Sequence, residues 1–410
     1  MSLRTDANKI IESAINAALP DTAVKKALQD EDFSGGRLVL VSIGKAAWSM
    51  AKAAYDLLGS RIDEGIVITK YDHSKGNIPN VRIMEAGHPI PDANSFAATE
   101  EAIKMVSGLT SKDKVLFLIS GGGSALFEKP LINEKELSDL TGQLLASGAD
   151  ITEINTIRKR LSAVKGGKFA KLCEPAEVFS VVLSDIIGDP LDMIASGPAY
   201  PDSSTSEQAV GIIRKYGLAV SEEIMELLKK ESPTELSNVR TKITGSVKQL
   251  CIAAERTCRE LGYEPVILTA SLRCQAREAG SFLASIAQYH QSTDRSLAFI
   301  AGGETVVQLK GKGKGGRNQE LALAAAEGIS ELENVAVFSV GSDGTDGPTD
   351  AAGGYVDTDT KMILAEKGID IFKTLENNDA YHALQASGGL IITGPTGTNV
   401  NDLSVLLIKR

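Results

Sequence analysis

A lysine follows the first apolar run of the chain. Residues 37–43 (RLVLVSI) form a β-branched stretch that stops at Gly44, and Lys45 opens a segment whose apolar residues recur at helical spacing. In that place, a lysine ammonium and the amides that begin a helix would together meet a phosphate or a carboxylate. A Gly-Lys pair alone is far from the P-loop pattern GxxxxGK(S/T), so by itself it favours a solvated lysine in a turn.

A glycine-rich loop follows the most apolar run of the sequence, residues 114–120 (KVLFLIS). Consecutive glycines let backbone amides approach phosphate oxygens closely, and serine hydroxyls add further donors. The candidates for such a phosphate cradle are Ser120, Gly121, Gly122, Gly123 and Ser124. A flexible turn is the alternative, because GGGS does not match the dinucleotide fingerprint GxGxxG.

Two later loops are acidic. Residues 183–202 come at the end of the apolar strand FSVVL and hold Asp185, Asp189 and Asp192, which are hard oxygen ligands of the kind that Mg²⁺ prefers beside substrate phosphates. Residues 340–354 contain Asp343 among glycines, with a spacing that does not match an EF-hand loop. Aspartates beside Gly and Pro are commonly turn formers, which is the alternative for both loops.

An arginine is the strongest single anion-binding candidate. Arg317 and Asn318 open a predicted helix after the loop KGKGKGG, where a rigid guanidinium suits bidentate capture of a carboxylate or phosphate. Glu304 follows a strand and two glycines just before this loop. A second basic segment, residues 156–172, carries six Lys or Arg; it is interpreted as a solvated helix face or, alternatively, as a cationic wall that uses Arg160 or Lys165.

The elements that would position these loops alternate along the chain. Apolar runs at 37–43, 65–69, 81–86, 114–120 and 177–185 are separated by helical patterns, which predicts an α/β fold with a mostly parallel sheet. Ligands of such sheets bind beyond the carboxyl ends of the strands. Residues 229–244 are polar and aperiodic, so we predict a domain boundary there, giving domains 1–235 and 236–410 with a cleft between them. Alternation then resumes, with strands at 265–270, 296–303, 335–344, 389–394 and 402–410 and a helix-like region up to about residue 385.

Composition excludes several classes of protein. The 410 residues carry a net charge of −10, which argues against a broad nucleic-acid surface. The four cysteines and four histidines lack zinc-site spacing, although the GHPIPD turn around His88 has the rigidity to border a site. Without a signal-peptide core or a membrane-length apolar run, the sequence predicts a soluble, cytoplasmic protein with no membrane partner.

Read together, the loops resemble the glycerate 2-kinase family of the MOFRL type, older members of which were labelled hydroxypyruvate reductases. The matching segments are SIGKAAWSMAKAA, ISGGGSALFEKP, NTIRKRLSAVKGGKFA, SDIIGDPLDMIASGP, AGGETVVQLKGKGKGGRNQE and GSDGTDGPTDAAGG. The resemblance implies a Rossmann-like N-terminal domain, a smaller C-terminal α/β domain and an active site between them. It also implies ATP-dependent phosphorylation of D-glycerate at its 2-hydroxyl with Mg²⁺ or another divalent ion. The family's motif lysine falls on Lys45 and its glycine-flanked arginine on Arg317.

Phosphoryl transfer needs phosphates to be gripped, a metal to be placed and an acceptor hydroxyl to be aligned. We therefore expect residues 120–124 and Lys45 to bind the nucleotide, and Lys45 and Arg317 to hold the glycerate carboxylate and the moving phosphoryl group, with Asn318 and Glu304 as further substrate contacts. Asp185, Asp189 and Asp343 are the expected metal ligands, and Asp185 is also a catalytic candidate. Which aspartate accepts the proton stays open.

Two other functions remain to be separated from this one. An NAD(P)H-dependent hydroxypyruvate reductase is the enzyme alternative, but the first predicted strand leads into IGKAAW rather than a dinucleotide fingerprint. A non-catalytic binding protein for an acidic metabolite is the other. The expected partners are D-glycerate and ATP, with no nucleic acid, and the assembly is a monomer or a homodimer.

Overall fold

The computed structural model describes residues 2–410 and divides into two compact units. The first unit comprises Ala23–Ser184 and Asp189–Thr244, and the second comprises the residues up to Thr22, Asp185–Gly188 and Gly245–Arg410. Both units are therefore discontinuous in sequence. The domain boundary at 235/236 stays a prediction. In the structure, the residues up to Thr22 belong to the same compact unit as Gly245–Arg410.

Twelve strands and sixteen α-helices are present among the described residues, together with 3₁₀ turns at Gly59–Arg61 and Ile194–Ser196. The strands are β1 (Leu38–Ile43), β2 (Glu64–Lys70), β3 (Val81–Ala86), β4 (Lys114–Ile119), β5 (Glu177–Leu183), β6 (Val239–Gly245), β7 (Glu264–Leu272), β8 (Leu297–Gly303), β9 (Val335–Gly341), β10 (Gly353–Asp357), β11 (Leu390–Ile391) and β12 (Asp402–Ile408). The helices are α1 (Leu3–Ala18), α2 (Pro20–Leu28), α3 (Ala47–Leu58), α4 (Ala93–Val106), α5 (Gly123–Leu126), α6 (Glu134–Ala146), α7 (Ile151–Arg160), α8 (Lys168–Leu172), α9 (Ser206–Lys215), α10 (Glu222–Leu228), α11 (Val247–Glu260), α12 (Ala276–Tyr289), α13 (Arg317–Ile329), α14 (Thr360–Glu366), α15 (Ile371–Glu376) and α16 (Ala380–Ser387).

The sheet of the first unit has the strand order β3-β2-β1-β4-β5-β6. From β3 to β5 each neighbouring pair is parallel, and Ile43 at the end of β1 pairs with Ile119 at the end of β4. The residues of β1 are all buried, as expected for a strand covered on both faces. The predicted α/β fold with a parallel sheet is confirmed, and the loops after β1 and β4 begin at neighbouring points of one sheet edge.

The sheet of the second unit is mixed, with the order β11-β10-β9-β12-β8-β7. Strand β12 runs antiparallel to both of its neighbours, so that Asp402 pairs with Gly303 of β8 and with Gly341 of β9. Helix α1 belongs to the same unit: Asp6 accepts hydrogen bonds from Lys409 Nζ at 2.7 Å and Tyr263 Oη at 2.8 Å. Both ends of the described chain thus build this one unit.

Two strands differ from the sequence expectation. Strand β6 lies in the segment predicted as a connector, and its mostly half-buried residues explain why no apolar run marks it. Strand β10 lies in the region predicted to be helical, and its two glycines allow close antiparallel pairing with β9, where a Cβ on Gly353 would lie 1.9 Å from the Ser339 carbonyl oxygen. Among residues 2–410, no helix combines the length and the apolarity needed to cross a bilayer.

Candidate active site

The structure brings the loop that carries Lys45 against the glycine-rich loop of the first unit. Lys45 N donates to the Gly121 carbonyl at 2.9 Å, and Ser120 N donates to the Ile43 carbonyl at 3.0 Å. Gly44 has a φ of 110°, and a Cβ there would lie 2.3 Å from Ser120 Oγ, so only glycine fits this approach. The Lys45 side chain itself is exposed. Adjacent parallel strands therefore present an accessible ammonium beside the predicted phosphate cradle.

The glycine-rich loop makes a sharp left-handed turn at Gly122, whose φ is 87°. Outside the helices and strands of residues 2–410, no backbone hydrogen bond of ordinary geometry has the N–H group of Gly122, Gly123 or Ser124 as its donor. Ser124 Oγ lies 2.9 Å from Ser196 Oγ of the loop after β5. Successive unpaired amides at a left-handed turn form a concavity that suits an anion.

His88 also adjoins this loop. A Cβ on Gly122 would lie 3.1 Å from the His88 ring and 3.2 Å from Lys45 Cγ, so three elements converge at that glycine. Burial, followed by the charges of Lys45, Lys70 and His73, lowers the pKa of His88, which keeps the imidazole neutral. The sequence favoured an ordinary structural histidine at position 88 and offered the rigid GHPIPD turn only as a possible border of the site.

The loop after β5 carries backbone strain. Asp189, Ala195 and Ser196 have φ values of 51°, 52° and 61°, a region that costs a non-glycine residue about 1–3 kcal/mol. Asp189 Oδ1 is buried and has no hydrogen-bond partner among the described residues. Asp192, by contrast, is already paired with Lys159 Nζ at 3.2 Å. Of these two first-unit aspartates, Asp189 has the carboxylate oxygen that a cation or its bound water would satisfy.

In the second unit, Arg317 is held by two carboxylates. Its Nε and Nη2 donate to Asp402 at 2.5 and 3.0 Å, and its Nη1 donates to Glu304 at 2.8 Å. Burial alone would lower the pKa of Arg317, but Asp402 and Glu304 raise it above its ordinary value. The guanidinium is about one-third exposed, and its remaining N–H donors are available to an anion. Asp402 was missed in the sequence because it is separated from Arg317 by 85 residues.

Asn318 lies deeper than Arg317 and is buried. Its backbone N–H and that of Gln319 donate to the carboxylate of Asp346 at 3.1 and 2.9 Å, so that Asp346 caps the start of α13. Burial raises the pKa of Asp346 to about 6, against the effect of these hydrogen bonds. Asn318 Oδ1 accepts from Ser339 Oγ at 2.5 Å. Asn318 thus holds the helix start that positions Arg317.

The three predicted metal ligands are divided between the units. Asp189 belongs to the first unit, while Asp185 and Asp343 belong to the second. The Asp185 carbonyl accepts from Asn401 Nδ2 at 3.3 Å, and Asp343 Oδ1 accepts from Thr345 N at 2.9 Å. Within residues 2–410, no group of three or more His, Cys, Asp or Glu side chains gathers as a metal site.

The basic segment 156–172 is not a solvated helix face. Lys159, Arg160 and Lys165 are all buried. Arg160 pairs with Asp202 at 3.2 Å and Lys165 with Glu128 at 3.3 Å, so each charge has an acidic counterpart inside the first unit. The acidic partners are distant in sequence, which is why the charge run alone suggested exposure.

The first unit has a parallel sheet with a glycine-rich loop at its carboxyl edge, and the second has an arginine at a helix start, which defines an α/β protein of the kind that binds ligands beyond the strand ends. Residues 6–229 match the family model described as a domain of unknown function, DUF4147. Residues 297–402 match the MOFRL family.

Relatives that match over nearly their full length show which protein family the chain belongs to. The chain is 52% identical to a D-glycerate 2-kinase of Thermotoga maritima, over 99% of both chains, and 40% identical to a glycerate 2-kinase of Pyrococcus horikoshii, over 100% of this chain and 98% of that one. A crystal structure of the glycerate kinase from Thermotoga maritima, 52% identical, superposes with a TM-score of 0.94 and covers 99% of each chain. A relative from Agrobacterium vitis, 37% identical over 100% of this chain and 95% of its own, carries a hydroxypyruvate reductase name. The chain belongs to the MOFRL-type glycerate 2-kinase family, as the sequence motifs predicted.

Proposed function

We propose that this protein transfers the γ-phosphoryl group of ATP to the 2-hydroxyl of D-glycerate, giving 2-phosphoglycerate and ADP. A bond forms between the hydroxyl oxygen and the γ-phosphorus, the bond to the β–γ bridging oxygen breaks, and the hydroxyl proton is released. Because this reaction needs little covalent help from a protein, binding, alignment and charge neutralisation supply the catalysis.

The observation that carries the proposal is the pairing of Lys45 with three unpaired amides. The N–H groups of Gly122, Gly123 and Ser124 make no backbone hydrogen bond of ordinary geometry outside the helices and strands of residues 2–410, and the exposed Lys45 is hydrogen-bonded through its backbone to Gly121. Amides of this kind bind phosphate oxygens, and an ammonium neutralises charge that moves during transfer. Residues 120–124 and Lys45 are therefore assigned to the nucleotide, with the Lys45 ammonium on the transferred phosphoryl group or the glycerate carboxylate.

Arg317 is assigned to the acceptor. Its guanidinium is oriented by Asp402 and Glu304 and is about one-third exposed, so its remaining donors suit the glycerate carboxylate. Asn318 stabilises the helix start, and Glu304 is the exposed partner that an entering carboxylate would displace. Held by its carboxylate, glycerate presents its 2-hydroxyl for attack.

The divalent cation is assigned to Asp189. Mg²⁺ is usually bound by one or two carboxylates, with substrate phosphates and water completing its shell, so a protein cluster of three acids is not required. The buried, unpartnered Oδ1 of Asp189 fits such a ligand. When bound, the ion neutralises phosphate charge. Asp185 is the candidate for orienting the acceptor hydroxyl, and Asp343 remains a second metal candidate.

Product analysis tests this function. The purified protein is incubated with ATP, Mg²⁺ and D-glycerate, and the product is identified by phosphorus NMR. We expect 2-phosphoglycerate in step with ADP. Formation of 3-phosphoglycerate would overturn the assigned site of phosphorylation, and absence of ATP turnover would overturn the kinase assignment.

The reductase name among the relatives makes one comparison necessary. In the structure, β1 leads into Gly44 and Lys45, and the segment lacks the three-glycine dinucleotide fingerprint. A parallel assay with NADH and hydroxypyruvate therefore serves as the control, and we expect no oxidation of NADH. Turnover in this mixture alone would assign the reductase activity instead.

A further inference from the structure

A fully buried ammonium lies behind the glycine-rich loop. Lys165 Nζ donates to the carbonyl oxygens of Ser124 at 2.7 Å and Phe127 at 3.0 Å. Arg158 Nη2 adds a third contact, to the Ser124 carbonyl at 3.1 Å. Two cationic side chains therefore hold the carbonyl side of the short turn α5, which follows Gly122 directly.

This arrangement is costly for the fold. Glu128 is 1% exposed, lies 3.3 Å from Lys165 Nζ and 3.7 Å from Arg158 Nη2, and its carboxylate oxygens accept no hydrogen bond from the described residues. Burial lowers the pKa of Lys165 to about 8, although Glu128 opposes the shift. A buried ion pair is often no more stable than well-packed apolar residues of similar volume, so stability alone does not explain the ammonium.

The contacts with carbonyl groups give the Lys165 ammonium a role beyond its pairing with Glu128. In a helical turn the carbonyl groups point towards one end and the N–H groups towards the other. Cations at the carbonyls of Ser124 and Phe127 therefore fix the turn so that its unpaired amides stay at the opposite end. A side-chain contact between Ser124 Oγ and Ser196 Oγ, at 2.9 Å, restrains the same residue from the loop after β5.

We propose that Lys165 is a positioning residue of the nucleotide site, where its ammonium clamps the carbonyl groups of the glycine-rich turn and keeps the turn's amides aligned for the phosphates of ATP. The inference rests on the proposed function, because it takes residues 120–124 as the nucleotide cradle. Lys165 acts through the turn and does not touch ATP.

The test uses a charge-balanced variant, because Lys165→Met alone leaves the Glu128 carboxylate buried without its closest cation. In Lys165→Met/Glu128→Gln both charges are removed, so the protein is expected to fold with a thermal midpoint near that of the wild type. We expect the KM for ATP to rise at least about tenfold, while the KM for D-glycerate stays within about twofold, since only the phosphate cradle loses alignment. Fluorescence titration with a labelled ATP analogue gives the same comparison without turnover.

Lys168 supplies a matched control. It is a half-buried lysine whose pKa burial lowers to about 8, and its Nζ donates to the carbonyls of Lys159, Arg160 and Ser162 at 2.9, 3.2 and 2.8 Å. These carbonyls lie outside the glycine-rich turn, so Lys168→Met should lower stability and leave the KM for ATP unchanged.

The outcomes separate the two proposals. A folded double variant with the wild-type KM for ATP, or an equal rise in Lys168→Met, overturns the positioning role while the kinase function stands. A wild-type protein that neither turns over nor binds ATP overturns both.

Discussion

Removing the Arg317 side chain is expected to have separate effects on stability and on activity. Arg317→Met abolishes the hydrogen bonds of 2.5 and 3.0 Å to Asp402 and of 2.8 Å to Glu304. It leaves the Asp402 carboxylate, which is 5% exposed, without its counter-ion. Breaking a buried ion pair in this way costs about 3–5 kcal/mol. At about 2–4 °C per kcal/mol for a unit of this size, the second unit should unfold about 6–20 °C lower.

Protonation of Asp402 limits this loss. Burial already raises the pKa of Asp402, against the opposing effect of Arg317. Without the guanidinium that pKa rises further, so below it the folded variant binds a proton that the unfolded chain, with its lower pKa, does not hold. The destabilisation is therefore greatest at neutral pH and shrinks as the pH falls through the folded-state pKa of Asp402.

A second substitution separates stability from chemistry. Arg317→Met/Asp402→Asn removes both charges, so most of the lost thermal stability should return, as measured by calorimetry. Turnover, followed as ADP release with D-glycerate, should stay at least about 100-fold below the wild type, because a charged contact to the reacting molecules is gone. Arg317→Lys keeps the charge on Asp402 balanced and should be nearly as stable as the wild type, yet slow, because an ammonium cannot replace the forked guanidinium.

One result would refute a role for Arg317 in binding the reacting molecules. If the stable double variant turns over D-glycerate at a rate near that of the wild type, Arg317 has only a structural role as the partner of Asp402. A wild-type-like rate for Arg317→Lys combined with a slow double variant would show instead that charge, and not the bidentate geometry, is what the site requires.

Three further outcomes are expected. Lys45→Ala should cut turnover at least about 100-fold without lowering the thermal midpoint, because the side chain is exposed; a folded variant with near-normal turnover would remove Lys45 from the mechanism. Burial raises the pKa of Asp346 to about 6, so between about pH 4 and pH 6 the folded state binds a proton that the unfolded chain has lost. The free energy of unfolding should therefore fall by up to about 3 kcal/mol as the pH rises through this range. Denaturant titrations should show this slope in the wild type and not in Asp346→Asn. Burial raises the pKa of Cys173, Cys251 and Cys258 to about 12, so native protein treated with iodoacetamide at pH 8 should be modified first at the half-buried Cys274, as read by mass spectrometry.

Most of the first sheet was predictable because β1, β2, β4 and β5 are almost entirely buried, while β3, although largely half-buried, keeps apolar residues in VRIMEA. Strands β1 to β5 appear in the sequence as near-continuous apolar runs, and the structure confirms each within a few residues. Strand β6 was missed because VRTKITG is only half-buried, and β10 because GGYVD begins with two glycines. Periodicity reports burial, so strands with little burial or few side chains escape it.

The loops of the candidate site could be predicted from the sequence, but the partners of its charged residues could not. Lys45 and the glycine-rich loop follow adjacent parallel strands, and strand order in such sheets brings loops of this kind together. The partners of the charged residues could not be found in the same way. Asp402 reaches Arg317 and Glu128 reaches Lys165 only through tertiary packing, and nothing in the local sequence of either acid marks the pairing.

The place of β12 within its sheet affects how the protein is made. This strand, residues 402–408, separates β8 from β9, so neither of those strands has its full set of backbone partners until residues 402–408 have been synthesised. Helix α1, synthesised first, packs in the same unit and meets Lys409 through Asp6. At about 5–20 residues per second, the roughly 400 residues between Asp6 and Lys409 take about 20–80 s to synthesise, so this contact forms long after the helix itself has been made.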